Sequence, residues 1–258
     1  MSILERDDRG AVTTLTLNAP ERLNPLSDAM LGALQEAFDL LSETPECRVI
    51  VLKGAGKAFC AGHDLKEMEA ARGENGRAAW KDLFDRCARM MQTIPTLPQP
   101  VIAQVHGIAT AAGCQLVASC DLAVAEVGTR FGVNGVNIGL FCSTPMVALS
   151  RNIPRKHAFE MLVTGDFLSA EAARHAGLIN RVAEKGTLEA EVANLADQIA
   201  AKLGSAVKIG KAAFYRQIEM PLGEAYAYTG DVMVENMAHR DTAEGVQAFL
   251  EKRDPDWE

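Results

Sequence analysis

The segment Val101-Ile102-Ala103-Gln104-Val105-His106-Gly107-Ile108-Ala109-Thr110-Ala111-Ala112-Gly113-Cys114-Gln115-Leu116 reads as strand, small-residue turn and helix. Residues 101–105 form a short apolar run entered from Pro98-Gln99-Pro100, the pattern of a strand buried on both faces. His106-Gly107 interrupts the run. Ala111-Ala112-Gly113 then leads into a second apolar run, Leu116-Val117-Ala118, which stops before Cys120-Asp121. Side chains this small let a ligand approach the backbone. A helix starting there offers free N–H groups, and the positive end of its dipole, to an oxygen that gains negative charge. Tight helix–strand packing calls for the same small residues, so this turn alone assigns no site.

A second turn repeats the logic upstream. Residues 48–53 read as a buried strand closed by Gly54-Ala55-Gly56. Lys57-Ala58-Phe59-Cys60-Ala61-Gly62-His63-Asp64-Leu65-Lys66-Glu67-Met68 follows, a small-residue loop running into a short helix. Two such turns supply two sets of backbone donors, and the pairing says more than either turn alone.

The rest of the chain frames these turns. Residues 11–17 alternate apolar residues with threonines after Asp8-Arg9-Gly10, so a hairpin opens the chain. Pro20-Glu21-Arg22-Leu23-Asn24-Pro25 reads as a loop. Ser27 then caps a helix whose apolar face is Met30, Leu31, Leu34, Phe38 and Leu41. An amphipathic helix is expected over 78–94, a strand over 122–125, and a further helix beginning near Phe141-Cys142-Ser143-Thr144-Pro145, which Ser143 or Thr144 would cap. From Arg155 the pattern is mainly helical, broken by a strand-like 178–182. Asp241 with Glu244 looks like a capping box for the last helix. Strands alternating with helices, followed by helices alone, make an α/β core with a helical C-terminal part.

Composition excludes several function classes. A net charge of −8 without a block of Lys and Arg argues against a nucleic-acid surface. No stretch reaches the roughly 20 apolar residues of a membrane span, and the first residues lack the pattern of a signal peptide. The six cysteines, Cys47, Cys60, Cys87, Cys114, Cys120 and Cys142, are scattered without a Cys-x-x-Cys pair. That pattern predicts reduced thiols in a cytoplasmic protein. His63 and His106 give them no zinc-site spacing, so neither a metal nor a cofactor is expected.

The chain resembles the crotonase (enoyl-CoA hydratase/isomerase) superfamily over nearly its whole length. The resemblance rests on residues 57–68, on His106-Gly107 through Gly113-Cys114-Gln115 to Cys120-Asp121, on Thr164-Gly165 to Gly177-Leu178-Ile179, and on Glu244-Gly245 with residues 248–253. It implies a spiral of ββα turns over residues 1–200, a helical trimerisation region over 201–258, a homotrimer or homohexamer, and an acyl-CoA thioester as ligand. It places the two oxyanion-hole N–H groups on His63 and Ala112. It also implies CoA contacts from Ala61, His63, Asp64, Leu65, Lys66, Ala112 and Gly113, with Phe249 and Lys252 reaching a neighbouring subunit's nucleotide site.

One departure bears directly on the chemistry. The resemblance puts the two hydratase glutamates at Gln115 and Gly135, and neither residue exchanges a proton near neutral pH. Losing an acid–base pair removes a contribution of about 100- to 10,000-fold per group. Relatives with a later acid place it where this chain reads Leu140-Phe141-Cys142-Ser143-Thr144, again without a carboxylate. Cys142 and Ser143 are then candidate substrate contacts, a weak acid or a nucleophile, or simply a buried thiol and a helix cap. Three readings follow: an acyl-CoA enzyme with non-standard proton transfer, a non-catalytic acyl-CoA binder, and a thioester hydrolase that lacks a visible base. Gln115→Glu with Gly135→Glu is expected to raise hydration if the backbone at Gly135 tolerates a side chain.

Overall fold

The structure is a computed structural model that describes residues 2–257. β1 (Leu4–Arg9) and β2 (Val12–Leu17) form the expected antiparallel hairpin. In α1 (Asp28–Ser42) the Ser27 hydroxyl accepts from the Met30 N–H at 3.2 Å, and the predicted five-residue stripe is buried. β3 (Val49–Gly54) lies parallel to β2. α2 (Leu65–Ala70) and α3 (Gly76–Thr96) lead to β4 (Val101–Val105), parallel to β3. Next come β5 (Ile108–Thr110), α4 (Ala112–Ser119), β6 (Leu122–Glu126) and β7 (Arg130–Gly132). α5 (Pro145–Asn152), α6 (Arg155–Thr164), β8 (Phe167–Ser169), α7 (Ala170–Ala176) and β9 (Arg181–Ala183) follow. Four helices close the chain: α8 (Leu188–Ala200), α9 (Gly204–Gln217), α10 (Leu222–Ala238) and α11 (Arg240–Glu251).

The large sheet runs β1-β2-β3-β4-β6-β9, and a small sheet runs β5-β7-β8. Two coils of the spiral, β4 to β5 and β6 to β7, lay one strand in the large sheet and cross to the small one. β4, β5 and α4 make one coil. A bridge from Cys60 to Ala109 brings the upstream loop beside β5 in the same manner. The reading of strand, turn and helix over 101–116 therefore missed β5. Three residues after a Gly carry too little pattern to be recognised as a strand alone.

Alternation along the parallel strands divides the interior. Ile50, Leu52, Val101, Ala103 and Val105 face the larger core, with Met30, Leu34 and Phe38 of α1 and Leu83, Cys87 and Met90 of α3. Val49, Val51, Ile102 and Val124 face the opposite way, onto Leu188, Val192, Leu195 and Ala196 of α8. Burial on both faces is why these strands read as continuous apolar runs.

Two predicted caps do not form. Thr144 stands at the start of α5 without a side-chain cap bond, and the Ser143 hydroxyl turns instead to the Phe141 carbonyl at 3.4 Å. α11 starts at Arg240, so Asp241 lies inside its first turn rather than before it. Glu244 accepts two bonds from Arg253 and one from the Asp256 N–H, which folds the chain end back over α11. Among the described residues, no helix is long and apolar enough to cross a membrane, and no group of three or more His, Cys, Asp or Glu is arranged to hold a metal.

Candidate functional site

The two small-residue turns meet. A Cβ added at Gly62 would stand 2.9 Å from Ala111 Cβ and 3.2 Å from the Ala112 nitrogen, and Gly62 itself has φ +92°. Only glycine fits that conformation and that approach. From the other side, a Cβ at Gly113 would overlap the Cys60 carbonyl. The small residues thus do pack helix against strand, and the same contact sets the two turns side by side.

Among the described residues, no acceptor takes the His63 N–H or the Ala112 N–H. Their neighbours are bound: Ala111 N donates to Gly132 O at 2.9 Å, Gln115 N to Ala111 O at 3.0 Å, and Leu26 N to Gly62 O at 2.8 Å. Ala111 precedes α4 with φ +50° and ψ −121°, an uncommon conformation for a residue with a Cβ.

A loop read only as a connector holds the upstream turn. Asn24 is fully buried, with its amide donating to Ala55 O and Ala58 O at 2.8 Å and its carbonyl accepting from Ala19 N at 2.9 Å. Arg22 pairs with Asp64. Asp64 also caps α2, accepting from Lys66 N at 2.9 Å and Glu67 N at 3.4 Å. Leu23 O accepts from Ala61 N at 3.0 Å. The sequence reading missed Asn24 and Arg22 as organisers of the site. Its one local signal was an Asn inside a turn, a residue that tolerates the left-handed conformation seen at φ +53°.

The His63 ring packs against Phe84 of α3, with centroids 5.5 Å apart. Burial pushes its imidazole down to about 4 against the opposing pull of Asp28, so it is neutral near pH 7. Its Nε2 is buried without a partner. His106 is occupied elsewhere, its Nε2 lying 2.9 Å from Gly56 O.

Gln115 lies in the first turn of α4, 5% exposed, with its Oε1 buried and unpartnered. Gly135 is not in a left-handed conformation, yet it has no room for a side chain: a Cβ there would overlap the Leu140 carbonyl and stand 2.9 Å from Cys142 Sγ. The condition for installing a glutamate at this position is therefore not met, and that expectation is withdrawn. Cys142 is buried, and burial pushes its thiol up, so it is not a thiolate near neutral pH. Ser143 is exposed and its hydroxyl donates to the Phe141 carbonyl. His63, Ala112, Gly113 and Gln115 gather around the paired turns, with Ala61, Asp64, Leu65 and Lys66 running from the first turn into α2. Phe249 and Lys252 stand on the exposed end of α11, Phe249 81% exposed.

Residues 7–258 match the family model described as enoyl-CoA hydratase/isomerase. A Xenopus laevis relative, enoyl-CoA hydratase domain-containing protein 3, mitochondrial, is 45% identical over 257 residues, covering all of this chain and 86% of its own. The crystal structure of an enoyl-CoA hydratase from Mycobacterium smegmatis is 57% identical with a TM-score of 0.96, covering 99% of this chain and 98% of its own. The human enoyl Coenzyme A hydratase domain-containing protein 3 structure is 44% identical with a TM-score of 0.94, covering 99% of this chain and all of its own. The mitochondrial designation of the Xenopus laevis relative corrects the cytoplasmic reading of the cysteines. All six thiols are free and buried. Buried thiols of this kind suit any reducing compartment, so they do not single out the cytoplasm.

Proposed function

The chain belongs to the enoyl-CoA hydratase/isomerase family, and from that premise we propose that it binds an acyl-CoA thioester whose oxygen sits between the His63 and Ala112 N–H groups. The observation that carries this reading is the pair of acceptor-free N–H groups on two turns in contact through Gly62 and Ala111. Preorganised donors of this kind act where charge develops, each contributing about 3 kcal/mol to an enolate-like transition state. Ala61, Asp64, Leu65, Lys66 and Gly113 form the CoA side of the site. Residues 201–258 assemble the protein into a trimer or hexamer, in which Phe249 and Lys252 serve a neighbouring nucleotide site.

The chemistry we infer is enolate formation without efficient hydration. The α C–H bond breaks and its electron pair forms the double bond between the α-carbon and the carbonyl carbon, the carbonyl π pair moves onto the thioester oxygen, and solvent water takes the proton. Gln115 and Gly135 supply neither acid nor base for adding water across a double bond. A second reading, a binder that does not turn over, is favoured by the Leu140 carbonyl filling the space beside Gly135. Incubation of butyryl-CoA with the protein in D2O separates the two: deuterium at the α-carbon supports the enzyme, and binding without exchange supports the carrier. Crotonyl-CoA hydration is expected at least roughly 1,000-fold below that of a two-glutamate enzyme. Turnover in the ordinary hydratase range overturns both readings.

A further inference from the structure

We propose that Thr110 and Asn134 form a clamp on the turn that carries the Ala112 N–H, so that Thr110 is a positioning residue for one of the two donors to the thioester oxygen. The inference rests on the acyl-CoA reading above. The Thr110 hydroxyl donates to Asn134 Oδ1 at 2.5 Å, between residues 24 apart in the chain. Thr110 itself is buried.

The place of this bond in the fold gives it that role. β5 and β7 pair in register up to Thr110 and Gly132, and Ala111 N donates to Gly132 O at 2.9 Å just beyond. The side-chain bond adds a further tie past the end of the small sheet, to the short 3-10 turn over Asn134–Ile138. On the other side, Thr110 N donates at 3.0 Å to Cys60 O in the upstream turn. Thr110 thus links the upstream turn, through its backbone, to the 134–138 segment, through its hydroxyl. Ala111 and Ala112 follow it directly.

This turn needs holding. Ala111 stands at φ +50° and ψ −121°, and a residue with a Cβ keeps such a conformation only where its surroundings over-determine it. The peptide unit is planar, so rotation about the Ala111 Cα–C bond swings the whole unit that contains the Ala112 N–H. A turn released to relax therefore moves that donor. Donors of this kind work by standing in place before charge develops, and a displaced one loses that advantage. Packing alone does not account for the hydroxyl, since valine has the same shape and suits a buried strand end.

The test is isotope-edited infrared spectroscopy of the thioester carbonyl of butyryl-CoA bound to the whole protein. Donors at the carbonyl oxygen polarise the C=O bond and lower its band relative to the free ester. Thr110→Val and Asn134→Leu, each checked for folding by circular dichroism, are expected to lose about half of that displacement, the share of one donor in two. Thr110→Ser, which keeps the hydroxyl, is expected to restore it. A merely structural bond would lower the melting temperature of the valine variant and leave the band in place, and that result overturns the inference alone. A serine variant whose band matches that of the valine variant also overturns it. Asn134→Leu carries the same comparison if Thr110→Val does not fold. Failure of butyryl-CoA to bind, or an undisplaced band in the unmodified protein, overturns the acyl-CoA reading and this inference with it.

Discussion

Lys211 Nζ lies 2.7 Å from Asp121 Oδ2, with both side chains buried or nearly so. The ammonium also donates to Ile94 O at 2.9 Å and Gln99 O at 2.8 Å. Asp121 accepts from the Val101 N–H at 2.6 Å and from the Tyr215 hydroxyl at 2.8 Å. One ion pair thus ties α9 to the end of α3 and the entry of β4. Burial pulls the Lys211 pKa down and Asp121 opposes that pull, so the ammonium depends on the carboxylate beside it. Lys211→Ala leaves Asp121 nearly buried without its counter-ion, although still hydrogen-bonded to Val101 and Tyr215, and is expected to cost about 3–5 kcal/mol. Urea unfolding measures it, and a loss below about 1 kcal/mol contradicts the account.

Ala111 holds φ +50° at the start of α4. Strain at such a position costs of order 1–3 kcal/mol, partly offset by the greater unfolded-state freedom of glycine. Ala111→Gly is expected to stabilise the protein by about 1 kcal/mol. A lowered melting temperature in that variant excludes strain at the turn.

Gly135 is closed in by the Leu140 carbonyl and Cys142 Sγ. Gly135→Glu, alone or with Gln115→Glu, is expected to cost about 1–3 kcal/mol through overpacking and to leave crotonyl-CoA hydration unimproved. Steady-state hydration by the double variant is the check. A clear gain in turnover would show that the 135–142 loop opens.

His63 should shape the acid limb of stability. Its folded pKa of about 4 lies below the ordinary 6.5, so between those values the unfolded chain binds more protons than the native state. Stability therefore falls as pH drops from about 6.5 to about 4. His63→Leu lacks that loss, and its melting temperature is expected to decline less steeply than the unmodified protein's across this window. Parallel curves would remove His63 from the account.

The last helices carry Leu222, Tyr226, Val234, Phe249 and Leu250, each more than two-thirds exposed. That much open apolar surface calls for a partner. Sedimentation at micromolar concentration is expected to show a trimer or hexamer; a monomer refutes the assembly proposed for residues 201–258.

What the sequence determined by itself is local and periodic. The α1 stripe from Met30 to Leu41 follows helical spacing, Ser27 caps it through a neighbouring N–H, and the apolar runs at 49–52 and 101–105 report strands covered on both faces. These patterns need no knowledge of the rest of the chain. The short β5 strand, the failed caps at Ser143 and Asp241, and the crowding at Gly135 were not legible, because each depends on atoms distant in the chain or on too few residues to show a period. The site belongs to the tertiary structure for the same reason. Gly62 and Ala112 are fifty residues apart, and they meet because β3 pairs with β4 and Cys60 bridges to Ala109. Asn24 locks the upstream turn through carbonyls more than thirty residues away. A residue's neighbours along the chain set its conformation, but only strand order and close packing decide which turns stand side by side.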